Sequence, residues 1–220
     1  MEMSLHRSLK ERYATGGDRR AEVPIRGFRV DAVDDVGRLV EVQSGPLAPL
    51  RGKLNRLLPD HRVRIVKPVV LRRRVVRRLR PDGPDLSARS SPKRGALHDV
   101  FDDLLGVVRV FPHSNLDIEI LGVAIDEVRT PRRRRPGYAV ADRRLGEICS
   151  TATLARAEDL WALLPEDCDG RAPFTTFDLA ERLGRPPWFA QRVAYCLRHT
   201  GAARVIGKVG NRIVYVRERR

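Results

Sequence analysis

The chain has 220 residues, 42% of them apolar, which suffices to bury one substantial core and a smaller second one. It carries 43 Lys and Arg against 28 Asp and Glu, a formal charge of +15. So large an excess points to a polyanionic partner, of which nucleic acid is the usual one. Lysine is scarce, at positions 10, 53, 67, 93 and 208 only, so 43 minus 5 leaves 38 arginines; GC-rich coding accounts for that bias as well as selection for phosphate contacts does. No apolar run approaches the roughly 20 residues of a membrane span, and the N-terminus lacks the apolar core of a signal peptide. Cys149, Cys168 and Cys196 are odd in number and far apart, which excludes a disulfide scaffold and metal-type spacing. The expectation is a soluble cytoplasmic protein with ordinary thiols.

In chain order, Leu5, Leu9 and Tyr13 recur every four residues and predict a helix over 4–14, capped by Ser4 and ended by Gly16-Gly17. A strand over 22–26 follows. Arg26 to Val33 and Arg38 to Gly45 are β-branched apolar runs around the polar turn Asp34-Asp35-Val36-Gly37, so they predict a hairpin. Alternation puts Glu41 and Gln43 on one face of the second strand and Val40 and Val42 on the other. Strand pairing can bring Asp31, flanked by Val30 and Ala32, close to Glu41. Two such carboxylates repel unless positive charge lies between them, and a hard divalent cation with oxygen ligands is the simplest candidate. Next, Leu47, Leu50, Leu54, Leu57 and Leu58 form the stripe of a helix that Pro59 stops, with Lys53 at the stripe's edge. Residues 61–70 read as a β-branched strand ended by Pro68, completing a right-handed strand–helix–strand crossover in a partly parallel sheet. Leu71 to Arg80 reads as an edge strand with basic residues at its exposed positions.

An Asp on one strand and Glu-x-Gln on the next, followed by a helix and a strand, resembles the core of the PD-(D/E)xK nuclease superfamily, the restriction-endonuclease-like fold. The resemblance spans roughly the first 70 residues, and its motif is short and degenerate. It implies a metal site in which Asp31 and Glu41 hold Mg²⁺ or Mn²⁺ for phosphodiester hydrolysis. It further implies that Gln43 stands where the family more often has lysine, that Glu11 adds an acid from the leading helix, and that Lys53 supplies the displaced amine. The plain alternatives are a solvated Glu11 and a surface Lys53 that keeps its head in water.

Residues 81–95 form a polar loop in which Lys93 and Arg94 lie beside Ser90 and Ser91, a composition suited to phosphate contacts or to simple solvation. A short helix over 97–105, a strand over 116–128, an arginine-rich loop over 130–137, strands at 138–140 and 145–148, and a helix over 153–164 follow. Thr175-Thr176-Phe177-Asp178 is a capping-box start to a helix that Gly184 stops, and Pro186-Pro187 begin a second helix running to His199 and closed by Gly201. Phe189, Val193 and Leu197 are that helix's buried stripe, and 203–208 with 212–216 make a terminal hairpin. Helix, turn, helix and hairpin in this order resemble a winged helix-turn-helix domain. The resemblance implies DNA contact through Arg185, Trp188, Gln191, Arg192 and Arg198, with Lys208 and Arg212 on the wing.

The expected architecture is α/β: a restriction-endonuclease-like mixed sheet flanked by helices over residues 1–165 (core 1–80, elaboration 81–165), then a small winged-helix domain over 166–220. The expected function is a divalent-metal-dependent DNA endonuclease, and the alternative is a non-catalytic DNA-binding or regulatory protein on a nuclease fold. DNA is the expected partner, with a homodimer compatible and no membrane or small-molecule cofactor expected.

Overall fold

The structure is a computed structural model that describes residues 3–15 and 21–218. The helix stop expected at Gly16-Gly17 lies outside the described residues. Among these residues the chain begins with α1 (Ser4–Tyr13), β1 (Ala21–Ile25), β2 (Phe28–Val33), β3 (Leu39–Val42), α2 (Arg51–Leu57) and β4 (Val63–Arg77). It continues through β5 (Ser87–Ser90), α3 (Phe101–Leu104), β6 (Leu116–Pro131) and β7 (Tyr138–Leu154), then α4 (Thr176–Leu183), α5 (Pro187–Thr200), β8 (Ala203–Val209) and β9 (Arg212–Arg217). Seven strands form one sheet in the order β1-β2-β3-β4-β6-β7, with β5 paired to β4 off this path, and β8-β9 form a second sheet. The protein is mixed α/β, with a large mixed sheet flanked by helices. No helix among the described residues is long and apolar enough to cross a membrane.

Local chemistry explains the first hairpins. The two-residue β1–β2 turn places Arg26 at φ 50° and Gly27 at φ 79°, the positive pair that matches strand twist. In the β2–β3 turn the Asp34 carboxylate accepts the N–H groups of Val36 and Arg38, and the Arg38 guanidinium closes on it at 2.9 Å. At the start of α1 the structure departs from expectation. Met3 is the N-cap and makes no side-chain cap bond. The Ser4 hydroxyl and N–H instead both donate to Asp142, at 2.6 and 2.9 Å, so an acid from β7 satisfies the helix N-terminus.

The two strands expected over 61–80 are the single strand β4, Val63–Arg77. β4 continues through buried Pro68, because proline's φ is compatible with extended backbone and the apolar neighbours Val66 and Val69 are buried there. Nor is it an edge, since it lies between β3 and β6. Three of the arginines that suggested an edge are met by acids from β6 and β7: Arg72 by Glu147, Arg73 by Glu127, and Arg74 by Asp126. Within the expected polar loop, β5 pairs antiparallel to β4 in the register Val75↔Arg89 and Arg77↔Ser87. The expected pair of strands at 138–140 and 145–148 is the single strand β7, which runs on into the segment expected to be helical. What remains of that helix is a 3₁₀ segment, Ala157–Leu163.

The chain divides into two compact units interleaved in sequence: residues 1–44, 66–96 and 120–151, and residues 45–65, 97–119 and 152–220. The boundary expected after residue 165 falls inside the second unit. In the first unit Leu5 and Leu9 of α1 bury against Ala32, Val40, Val42, Val66 and residues Leu121, Val123 and Ile125 of β6. In the second, the α5 stripe of Phe189, Val193 and Leu197 is fully buried, the Cys196 thiol lies 3.8 Å from the Phe101 carbonyl, and the Trp161 indole donates to the Ala202 carbonyl. The helices α4 and α5 are therefore anchored on chain that precedes residue 166. Close approach also fixes Gly106, where an added Cβ would lie 2.3 Å from the Ala48 amide nitrogen.

Candidate active site

The first unit holds the acidic hairpin. Leu5 and Leu9 face the core and set the rotation of α1, which turns His6 and Lys10, one helical turn apart, toward β2. The His6 Nε2 and the Lys10 Nζ both approach Asp31 Oδ1 at 3.7 Å, and Lys10 also donates to Glu22 Oε1 at 2.8 Å. The other oxygen of Asp31 accepts the Val42 N–H at 2.9 Å. Burial acts to raise the Asp31 pKa, but the hydrogen bonds from His6 and the Val42 N–H, with the charge of Lys10, outweigh it and hold the carboxyl below its usual range.

The β2–β3 register pairs Ala32 with Val40 and Val33 with Leu39, and Asp31 and Glu41 are the next residues along the two strands. Glu41 is 6% exposed, and all four residues of β3 are buried. Just beyond β3, the Gln43 N–H donates to the Val66 carbonyl at 2.9 Å, which brings the half-buried Gln43 against β4. The next residue of β4 is Lys67, 3% exposed, with Nζ 3.5 Å from the Ser44 carbonyl. The buried Lys10 ammonium thus lies beside Asp31, and the buried Lys67 lies on the strand next to β3.

Lys10 and Lys67 were not singled out in the sequence, although each carried a signal. Lys67 interrupts an unbroken apolar run in a β-branched strand, and Lys10 directly follows Leu9 on the buried stripe of α1. The two helix residues that the resemblance added lie on α1 and α2. Glu11 is exposed and makes no ion pair among the described residues. Lys53 is half-buried on α2, in the second unit. Among the described residues no group of three or more His, Cys, Asp or Glu side chains is arranged to hold a metal ion.

The basic residues expected to touch DNA fall into two groups. Trp188, Gln191 and Arg198 are exposed on α5, and Lys208 and Arg212 are exposed on the β8–β9 hairpin, where Arg212 covers the Phe177 ring at 4.4 Å. Arg185 and Arg192 are paired with acids of their own unit, Arg185 with Asp99 at 2.7 Å and the exposed Arg192 with Asp102 at 2.8 Å. Arg192 also lies over Trp188, 4.7 Å from its ring centre. In the first unit Lys93 and Arg94 are exposed, with Arg94 donating to the Ser91 carbonyl. The three cysteines are free thiols; burial pushes Cys168 up to about 11 and Cys196 up to about 12, so neither supplies a thiolate at neutral pH.

Comparison with known proteins places this geometry in a family without assigning it an activity. Residues 3–155 match the family described as "Domain of unknown function (DUF8091)", a span that contains Asp31, Glu41, Gln43 and Lys67 and stops before α4 and α5. An uncharacterized protein of Treponema pallidum (strain Nichols) is 34% identical over 173 residues, which is 75% of this chain and 68% of that protein. No solved structure matches the chain.

Proposed function

This chain belongs to the DUF8091 family, and we propose that it is a divalent-metal-dependent DNA nuclease on a restriction-endonuclease-like core, with a winged-helix module for DNA contact. The observation that carries the reading is the presence of buried Glu41 and half-buried Asp31 on adjacent antiparallel strands, in the chain order helix, three strands, helix, strand. The resemblance to the nuclease superfamily rests on the same chain order and supports this reading.

The donor set fits Mg²⁺ or Mn²⁺. Such ions take one or two carboxylates and complete their shell with water and substrate phosphate, so a cage of three protein ligands is not required. Asp31 and Glu41 would hold the ion, which would displace the His6 and Lys10 side chains that approach Asp31 Oδ1 at 3.7 Å. When bound, the ion supplies Lewis-acid stabilisation of phosphoryl oxygens and a more acidic water. The protein contributes position and charge. Gln43 is neutral and orients a water through its amide without adding charge. Lys67, buried on the adjoining strand, supplies the fixed positive charge that position 43 lacks. On the second unit the exposed face of α5 with Trp188, Gln191 and Arg198, and the hairpin with Lys208 and Arg212, contact the duplex, chiefly its phosphates. Arg185 and Arg192 hold α5 to its own unit rather than reading bases.

One observation favours a second reading, a non-catalytic DNA-binding protein: Asp31 already faces the Lys10 ammonium and the His6 imidazole, and Lys10 compensates it without metal. Incubating the purified protein with supercoiled, linear, branched and single-stranded DNA in Mg²⁺ or Mn²⁺ separates the two. The nuclease reading requires cleavage that Asp31→Asn and Glu41→Gln each abolish while DNA binding persists. Wild-type protein that binds but never cuts establishes the binder, and cleavage unchanged in both variants removes the chemistry from this hairpin.

A further inference from the structure

The far end of β4 forms a second basic feature that neither the acidic hairpin nor α5 uses. A cleft of about 560 Å³ lies between the β4–β5 hairpin, the end of β6 and the start of β7. Arg77, Arg89 and Arg129 line it together with Leu79, Leu86 and Tyr138. Its wall continues through Pro136 and Gly137 into the loop bearing Arg132, Arg133, Arg134 and Arg135, all exposed. That loop is a tight one: the Arg132 N–H donates to the Gly137 carbonyl, and the Gly137 N–H donates to the Arg134 carbonyl.

The acids nearby compensate only some of these arginines. Arg78 and Arg144 meet Asp85, and Arg129 meets Glu127 while lying 3.9 Å over the Tyr138 ring. Arg77, Arg89 and Arg132 through Arg135 have no acidic partner among the described residues, and in the β4–β5 turn only Asp82 stands unpaired against them. Six uncompensated arginines around one cleft and its rim create a strongly positive local potential. They extend along a loop and two strands, a spread that suits a polymer of phosphates better than one compact anion. The lip is apolar, with Leu79 70% and Leu86 56% exposed. A duplex stacks its bases away from such a surface, whereas a single strand presents phosphates to arginine and base faces to apolar and aromatic side chains together.

We propose that this cleft binds a single strand of nucleic acid, with the phosphodiester backbone on Arg77, Arg89 and the Arg132–Arg135 loop, and the bases against Leu79 and Leu86. Ten residues of extended β4 separate Lys67 from Arg77, about 33 Å, so the cleft is distinct from the acidic hairpin. The inference is independent of cleavage, and its test excludes metal.

Full-length protein is titrated in EDTA against fluorescein-labelled single-stranded oligo(dT) and against a labelled duplex of equal length, with anisotropy read at several salt concentrations. The variants are Arg77→Gln/Arg89→Gln, the same pair with Arg132, Arg133, Arg134 and Arg135 all changed to Gln, and a control, Arg198→Gln/Lys208→Gln/Arg212→Gln. The cleft variants should weaken oligo(dT) binding about ten-fold or more, with a salt slope shallower by about 0.7 for each phosphate no longer neutralised. Their duplex affinity should stay within about three-fold, while the control variant should show the opposite pattern. Arg77→Lys/Arg89→Lys should retain most of the oligo(dT) affinity, because holding a phosphate needs charge more than a planar fork. Oligo(dT) affinity within about three-fold of wild type in the six-residue variant overturns the proposal, as does an equal loss for single strand and duplex. Thermal melting confirms that these surface variants are folded.

Discussion

Removing the charge of Asp31 is expected to weaken the fold, and the size of the effect follows from the geometry around Lys10. Two like charges beside each other would make Asp31→Asn neutral or stabilising, but Asp31 faces Lys10 Nζ and His6 Nε2, both at 3.7 Å. Unit charges at that distance attract by roughly 4.5 kcal/mol at an effective dielectric of about 20. Most of this is offset by the cost of withdrawing both groups from water, and Lys10 keeps Glu22 at 2.8 Å when Asp31 is neutralised. The Val42 N–H also keeps an acceptor, because the Asn carbonyl can replace the carboxylate oxygen. A coupling of about 1–2 kcal/mol between positions 10 and 31 is therefore expected. The assay is a double-mutant cycle of Lys10→Met, which preserves the packed stem, with Asp31→Asn, read by urea unfolding. With a slope of about 2–3 kcal/mol/M, the coupling appears as roughly 0.5 M in the midpoint. Additivity within about 0.4 kcal/mol would refute the ion pair and with it the view that α1 compensates the acid. If the hairpin is a metal site, Lys10→Met should also tighten Mg²⁺ or Mn²⁺ binding by calorimetry, since a competing cation has been removed.

Lys67→Met should leave the circular dichroism spectrum and melting curve close to wild type yet slow plasmid cleavage about 100-fold, the usual effect of losing one preorganised charge at a phosphoryl site; a rate within two-fold of wild type eliminates Lys67 from the chemistry. Asp142→Ala should cost about 1 kcal/mol by freeing the first turn of α1, visible as faster amide exchange at residues 6–8. Burial acts to raise the Asp142 pKa, but hydrogen bonds from Ser4 and the Arg143 N–H hold it below the usual value. Its stabilisation is therefore complete above the unfolded pKa near 3.9 and fades as pH falls through the depressed folded value, so the variant should show a flatter loss of melting temperature below about pH 4. Gly106→Ala forces a Cβ to within 2.3 Å of the Ala48 backbone, and a cost of about 2 kcal/mol should lower the melting temperature by about 4–8 °C; an unchanged value means that the 45–65 segment yields freely.

Much of the local architecture was legible because it depends on residues near one another in the chain. The Thr175–Asp178 capping box forms as expected, with Thr175 Oγ1 accepting the N–H groups of Phe177 and Asp178, and Gly184 and Gly201 close their helices at φ 57° and 81°. The hairpin bearing Asp31 and Glu41 forms as β2 and β3, which pair antiparallel at Ala32↔Val40 and Val33↔Leu39. Errors came where a distant strand supplied the deciding partner. Ser4 looks like a cap from its neighbours, yet Asp142, 138 residues away, takes its hydroxyl. Arg72, Arg73 and Arg74 of β4 look like an exposed edge until Asp126, Glu127 and Glu147 arrive from β6 and β7.

The sequence by itself determined the positive charge, the mixed α/β character, the position of the acidic hairpin and the two C-terminal helices, because composition, alternation and caps act over a few residues. Tertiary structure alone decided which charges remain available to a ligand. Coulomb interactions and desolvation depend on separations of a few ångströms between groups remote in sequence. That is why Lys10 compensates Asp31, why Asp99 and Asp102 neutralise Arg185 and Arg192, and why Arg77 and Arg89 are left uncompensated around a cleft.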